Sequence, residues 1–221
     1  MEQIIRKIRT DLRLSMNGIT AASMRDKGVN YRMNFGVDVP KLKRISNSYP
    51  QDRLLAERLW EEDVRELKIL ATMLYPKAEF AKEAADRWVK DIEIQEIREQ
   101  ACKNLFQELP YAHLLVQEWL QSDKENIRTT GYWLFARLCI IGSELTDKIS
   151  AEDLLTNAAL DIKNESILLR QAALNALKFY GRASKQRAAE VMKRVAAFEN
   201  STVPGEKEIF DSLRFEFEFA D

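Results

Sequence analysis

A single histidine and two cysteines stand in a chain of 221 residues. That scarcity excludes a Cys/His zinc site, which needs four ligands, and any site built on a pair of histidines. It leaves little room for a His-based catalytic triad and rules out a disulfide scaffold. Seven glycines and five prolines are too few for an all-β chain that turns every ten residues or so. No apolar run approaches the roughly 20 residues of a membrane span, and the polar start Met1-Glu2-Gln3 is unlike a signal peptide. The expectation is a helical, soluble, cytoplasmic protein with no membrane partner and no cofactor.

Hydrophobic residues make up 46% of the chain, enough to build a core and too many for disorder. The formal net charge of −1 is a cancellation. Residues 1–49 carry ten Lys/Arg against four Asp/Glu, a net +6, and residues 165–198 carry seven against two, a net +5. Residues 50–164 hold −7 and residues 199–221 hold −5. Basic ends around an acidic centre suit a polyanion held at two places, although helical surfaces also fluctuate this much without meaning.

Apolar residues recur at three- and four-residue spacing nearly throughout, which predicts helices rather than strands. Asn17 and Asp38 read as helix caps, the latter with Pro40 just inside. Further helices are expected at about 51–61, 63–75, 77–90, 93–108, 110–121, 125–141, 151–163, 166–180 and 184–198, by their apolar periodicity and their Pro and Gly breaks. The alternation Phe215-Glu216-Phe217-Glu218-Phe219 predicts a strand or an extended docking peptide instead.

Repetition is the strongest signal. Four helices open with an apolar residue and an arginine: Val64-Arg65, Ile97-Arg98, Ile127-Arg128 and Leu169-Arg170, at steps of 33, 30 and 42 residues. In the last three a small residue follows three positions later, at Ala101, Gly131 and Ala173. A period near 35 in pure helix means stacked helical hairpins, here an all-α α-α superhelix of about six hairpins over 1–200, with 201–221 as an acidic, Phe-rich tail. Each leading Arg either clamps a neighbouring repeat or reaches a phosphate.

These hairpins, fronted by Met33-Asn34-Phe35-Gly36-Val37-Asp38-Val39-Pro40-Lys41-Leu42-Lys43 and followed by Leu59-Trp60 and Arg65-Glu66-Leu67-Lys68-Ile69-Leu70-Ala71, resemble the AlkD-like DNA alkylation repair family of HEAT-like proteins. Trp88-Val89 and Asp123 fit the same order, and the resemblance spans residues 20–190. It implies a HEAT-like solenoid that binds duplex DNA, alkylated or distorted, on its concave face. It also implies excision of cationic purines by a carboxylate flanked by tryptophans. A purine that already carries positive charge needs only stabilisation of the developing sugar cation.

At the family's catalytic stretch, Trp-Asp-x-Val-Asp, this chain reads Ile94-Gln95-Glu96-Ile97-Arg98. Arg98 therefore stands at the Asp and Ile94 at its companion Trp, while Asn175 stands where a second Trp belongs. A DNA-binding relative without the family chemistry is one reading. An active glycosylase using Glu99 or Glu96 is a second, and a protein-interaction scaffold a third. The candidate DNA contacts are Arg128 and Lys178, which match family positions, with Arg170, Arg182, Lys185 and Arg187. Trp60, Trp88, Trp119 and Trp133 read as core, as do Cys102 and Cys139. The opposite charges of tail and preceding segment predict a contact between them, within one chain or across a homodimer.

Overall fold

A computed structural model of the chain describes residues 1–29 and 31–218. Thirteen α-helices follow in order: α1 Glu2–Leu14, α2 Gly18–Asp26, α3 Val39–Ser46, α4 Arg53–Trp60, α5 Arg65–Leu74, α6 Lys82–Trp88, α7 Gln95–Asn104, α8 Ala112–Leu120, α9 Glu125–Ile140, α10 Ala151–Asp161, α11 Ile167–Arg182, α12 Lys185–Arg194 and α13 Glu206–Glu218. Short 3-10 turns lengthen several of them, at Lys77–Glu79, Val89–Asp91, Phe106–Glu108 and Ala196–Phe198. The one strand-like pairing among the described residues is an isolated parallel bridge between Met33 and Val64. No helix among them is long and apolar enough to cross a membrane.

Two compact units divide the chain. Unit 1 holds Met1–Arg87 and Ile92–Leu109, and unit 2 holds Trp88–Asp91 with the chain from Pro110 onward.

Local chemistry sets most helix starts. The Thr20 amide donates to Asn17 Oδ1 at 3.1 Å, the Lys41 amide to Asp38 Oδ1 at 2.7 Å and the Leu55 amide to Asp52 Oδ1 at 2.6 Å. Each such cap satisfies a donor that the helix itself leaves orphaned. Between α2 and α3, Gly36 has φ +70°, and a Cβ there would lie 2.1 Å from the Asn17 carbonyl oxygen. Only glycine fits this crossing of the linker over the start of α2.

In unit 1, α4 packs on α5, and α3 and α7 on α5. Tyr75 meets Phe80 edge-on at 4.5 Å between ring centroids. In unit 2, α9 is the central element, packed on α8 and α11, while α11 also carries α10, α12 and α13. The small positions of the repeat are buried. A Cβ at Gly131 would come within 3.2 Å of the Trp119 Cβ and 3.3 Å of the Leu120 amide nitrogen, so close approach of α8 and α9 is the reason for glycine there. Trp60, Trp88 and Trp119 are buried in the core, and Trp133 is half-buried.

The tail departs from expectation. Its described part is the helix α13, not a strand or an extended peptide; Phe219 lies outside the described residues. Phe210 and Leu213 are buried, and the Phe217 ring covers Gly181, where a Cβ would lie 2.3 Å from it. Positions 210, 213 and 217 form one helical face. The alternating Phe and Glu misled because Phe215 points outward, 65% exposed, and adds an apolar residue that the buried stripe does not use.

Candidate nucleic-acid interface

Three of the four leading arginines share a geometry. Arg65 Nη1 donates to the Val37 carbonyl at 2.7 Å, Arg128 Nη1 to the Ser122 carbonyl at 2.9 Å and Arg170 Nη1 to the Asn164 carbonyl at 3.0 Å. Each guanidinium thereby ties down a segment lying outside its own helix, and its orientation is fixed.

In unit 1, Arg65 is only 1% exposed. Its Nε and Nη2 grip Glu96 at 2.7 and 2.6 Å, a bidentate pair of the strong kind. Its Nη1 also donates to Glu66 Oε1 at 2.9 Å. Glu66, fully buried, accepts from the Phe35 and Val37 amides at 3.0 and 3.2 Å. Tyr31 donates its hydroxyl to Glu96 at 2.8 Å. This network pins the described parts of the linker that precedes α3.

Burial alone would raise the Glu96 carboxyl, but the hydrogen bonds and charge of Arg65, with the Tyr31 hydroxyl, outweigh it and hold the group below the ordinary carboxylate range. Tyr31 is pushed up, by burial first and by Glu96 second. Glu96 is thus a fixed anion with its charge already answered. Glu99 is half-exposed and accepts a hydrogen bond from the Gln95 side chain at 3.0 Å. Arg98, at the position of the family's aspartate, is 2% exposed and donates to Gln95 Oε1 at 2.5 Å. Ile94 caps the same helix.

Unit 2 repeats the clamp. Arg128 Nε and Nη2 meet Asp161 Oδ2 and Oδ1 at 3.1 and 3.2 Å, and Tyr132 donates to Asp161 at 2.9 Å. Tyr132 is pushed up by burial and then by the Asp161 charge. Arg128 therefore has all three guanidinium nitrogens engaged within the chain. Asn175 lies half-buried on α11, accepting from Gln171 at 3.3 Å.

The remaining sequence candidates lie on α11 and α12. Lys178 Nζ stands 3.8 Å from Glu216 Oε2, and Arg182 Nη2 is 2.6 Å from Glu216 Oε1 while its guanidinium covers the Phe179 ring. Lys185 and Lys193 are exposed and carry no polar partner among the described residues. Arg187 pairs with Asp147 at 2.8 Å, and Arg194 pairs with Glu152. These long side chains reach acids on α10 and on the 3-10 turn before it. Glu190 accepts from Tyr180 at 2.5 Å, which helps hold its carboxyl below the ordinary range.

Cys102 is buried, and burial pushes the Cys139 thiol up to about 12. That shift takes Cys139 away from the reactive thiolate. Among the described residues no group of three or more His, Cys, Asp or Glu could hold a metal ion.

Sequence reasoning found the arginines and named Glu96 for another role, but it missed Asp161 and the pairing of both acids with arginines. Glu96 and Asp161 lie 31 and 33 residues after their arginines, one repeat on, and that spacing was the available signal.

Comparison with known proteins agrees with this architecture. One solved structure superposes with a TM-score of 0.77 at 15% identity, covering 96% of this chain and 93% of that one. It is described as representing a new family of proteins related to the HEAT-like repeat DNA glycosylases, with affinity for branched DNA structures. A designed armadillo repeat protein matches at a TM-score of 0.37 and 12% identity, covering 80% of this chain and 92% of that one. No curated protein matches. The family model described as DNA alkylation repair enzyme matches residues 8–203; with that match and the repeat architecture together, the chain belongs to the DNA alkylation repair family.

Proposed function

We propose that this protein binds duplex DNA, distorted or branched, through phosphate contacts from α11 and α12, and does not excise bases with the family's usual residues. The observation that carries the reading is the basic segment 165–198, net +5, where exposed Lys185 and Lys193 have no polar partner among the described residues. Around them, Arg187 is partly exposed, ion-paired with the exposed Asp147 and stacked over the Tyr180 ring. Lys178 and Arg182 meet DNA in exchange for Glu216. Phosphate contact needs exposed cations and no reactive group.

The carboxylate side of the family chemistry has little support. Glu96 is held by Arg65 and Tyr31, so its charge is already answered before any sugar cation could form beside it. Glu99 favours a second reading, a glycosylase with a displaced acid, because its carboxylate is half-exposed and held, among the side chains of the described residues, only by Gln95. The neighbour's affinity for branched DNA makes a four-way junction the first ligand to try.

The test is binding of labelled duplex and four-way-junction DNA across a salt series. The expected result is a linear fall of log K with log salt, with a slope of about −0.9 per phosphate neutralised. Binding that ignores salt, or no binding, would favour a protein partner instead. Base release from methylated duplex, abolished by Glu99→Gln, would establish the second reading.

A further inference from the structure

Three of the four leading arginines, Arg65, Arg128 and Arg170, are copies of one device, and the last is unfinished; Arg98 differs, with its Nη1 on the Gln95 side chain. All three donate Nη1 to a backbone carbonyl. In the first two, Nε and Nη2 form a planar fork closed by both oxygens of a carboxylate one repeat on, Glu96 and Asp161. The fork of Arg170 has no partner among the described residues.

The position 33 residues after Arg170 is Val203. There the chain has left the repeat pattern and is turning into α13. The segment Val203–Ile209 forms one wall of an open cavity of about 470 Å³, which Arg170, Lys163, Ile162 and Leu174 line from the other side. The acid of that wall, Glu206, accepts from Ser201 Oγ at 2.6 Å and faces Lys163 Nζ at 4.0 Å. It stands with Lys163 rather than in the Arg170 fork.

We infer that the open fork of Arg170 is an oxyanion site and that its occupant is a DNA phosphodiester. The two closed copies define its chemistry: two oxygens of one anionic group, met side by side by Nε–H and Nη2–H. A guanidinium fork matches carboxylate and phosphate alike. Phosphate is favoured because Arg170 belongs to the basic segment 165–198, with Lys163 on the same cavity. Its Nη1 bond to Asn164 already fixes the fork, so little side-chain freedom remains to be lost on binding. The occupant rests on the DNA-binding reading above; the site does not.

The experiment follows the arginine Nε–H resonances of the full-length protein by NMR. The signal of Arg170 is assigned by its absence in Arg170→Lys. Inorganic phosphate is titrated first, acetate second and a four-way junction third. The Arg170 signal is expected to move with phosphate and with DNA, while the signals of Arg65 and Arg128 stay in place because their forks are closed. In parallel, Arg170→Gln should weaken junction binding about three- to tenfold at low salt and lower the magnitude of the salt slope by about one.

An Arg170 signal that moves no more than those of Arg65 and Arg128 would overturn the site. A response to acetate but not to phosphate would overturn the phosphate assignment. Junction binding whose affinity and salt slope are unchanged in Arg170→Gln would overturn the DNA occupant. If the wild-type protein does not bind DNA at all, the function reading fails, and the phosphate titration still decides the fork.

Discussion

Arg65, the first residue of α5, and Arg170, the fourth of α11, each donate to a backbone carbonyl outside their helix and differ beyond that. Arg65 is walled in by Glu66 and Glu96 and fixes the linker before α3. Arg170 makes the same backbone contact and stops there. The first is a structural clamp with its charge cancelled; the second has Nε–H and Nη2–H without a partner among the described residues. Arg128 stands between, closed by Asp161 but less deeply buried, at 21% side-chain exposure. On the proposal above, a repeat protein uses one residue type at one repeat position for architecture in some copies and for binding in the last. Between Arg65 or Arg128 and Arg170, the difference is the acid one repeat on, Glu96 or Asp161, that the last copy lacks.

Substitutions should separate these roles. The largest effect is expected at Arg65→Ala, which strands the fully buried Glu66 and the partly buried Glu96. A loss of about 3–5 kcal/mol in chemical denaturation of unit 1 is expected from breaking a buried pair, and a loss below about 1 kcal/mol would break the comparison. Gly36→Ala should cost about 2–3 kcal/mol by the same measurement, since a left-handed residue and a backbone clash coincide there. Arg128→Ala should fall near 2 kcal/mol, because Asp161 keeps the Tyr132 hydroxyl but loses its cation. Arg170→Ala should change stability by about 0.5–1 kcal/mol, one backbone hydrogen bond, with its main effect on DNA affinity.

Acid should act on the closed side. The Glu96 carboxyl is held below its ordinary range, so its contribution is complete above the unfolded-state pKa and is lost as pH falls through the folded one. Stability curves from pH 7 down to pH 3 should therefore drop more steeply in the wild type than in Glu96→Gln. Parallel curves would remove Glu96 from the acid response. The smallest effect is expected at Glu216→Gln, which frees Lys178 and Arg182. Junction affinity at low salt should rise a few-fold in fluorescence anisotropy, about 0.5–1 kcal/mol as for an exposed pair released; unchanged or weaker binding would mean that α13 does not compete with DNA.

Much of the fold was legible. Asn17, Asp38 and Pro40 marked helix starts by chemistry that acts within three residues, and the arginine steps marked the repeat. The small residues at 101, 131 and 173 marked buried positions, and Gly131 the close approach of α8 and α9. The site was legible only in part. Lys185 and Lys193 are basic and accessible, as the charge count suggested. The partners of Arg65 and Arg128 lie a whole repeat away, and no local pattern distinguishes Glu96, bound, from Glu99, half-exposed on the same helix.

The sequence by itself determined that the chain is helical, repetitive and poor in metal-binding or nucleophilic groups, because periodicity, capping and composition are local or additive properties. Tertiary structure decided which charges are free. Whether an arginine is a clamp or an open fork depends on an acid some thirty residues away, and whether Phe-Glu alternation becomes strand or helix depends on the surface it meets. Here that surface is α11, where Gly181 leaves room for Phe217 and where burial of Phe210 and Leu213 outweighs the local preference for an extended chain.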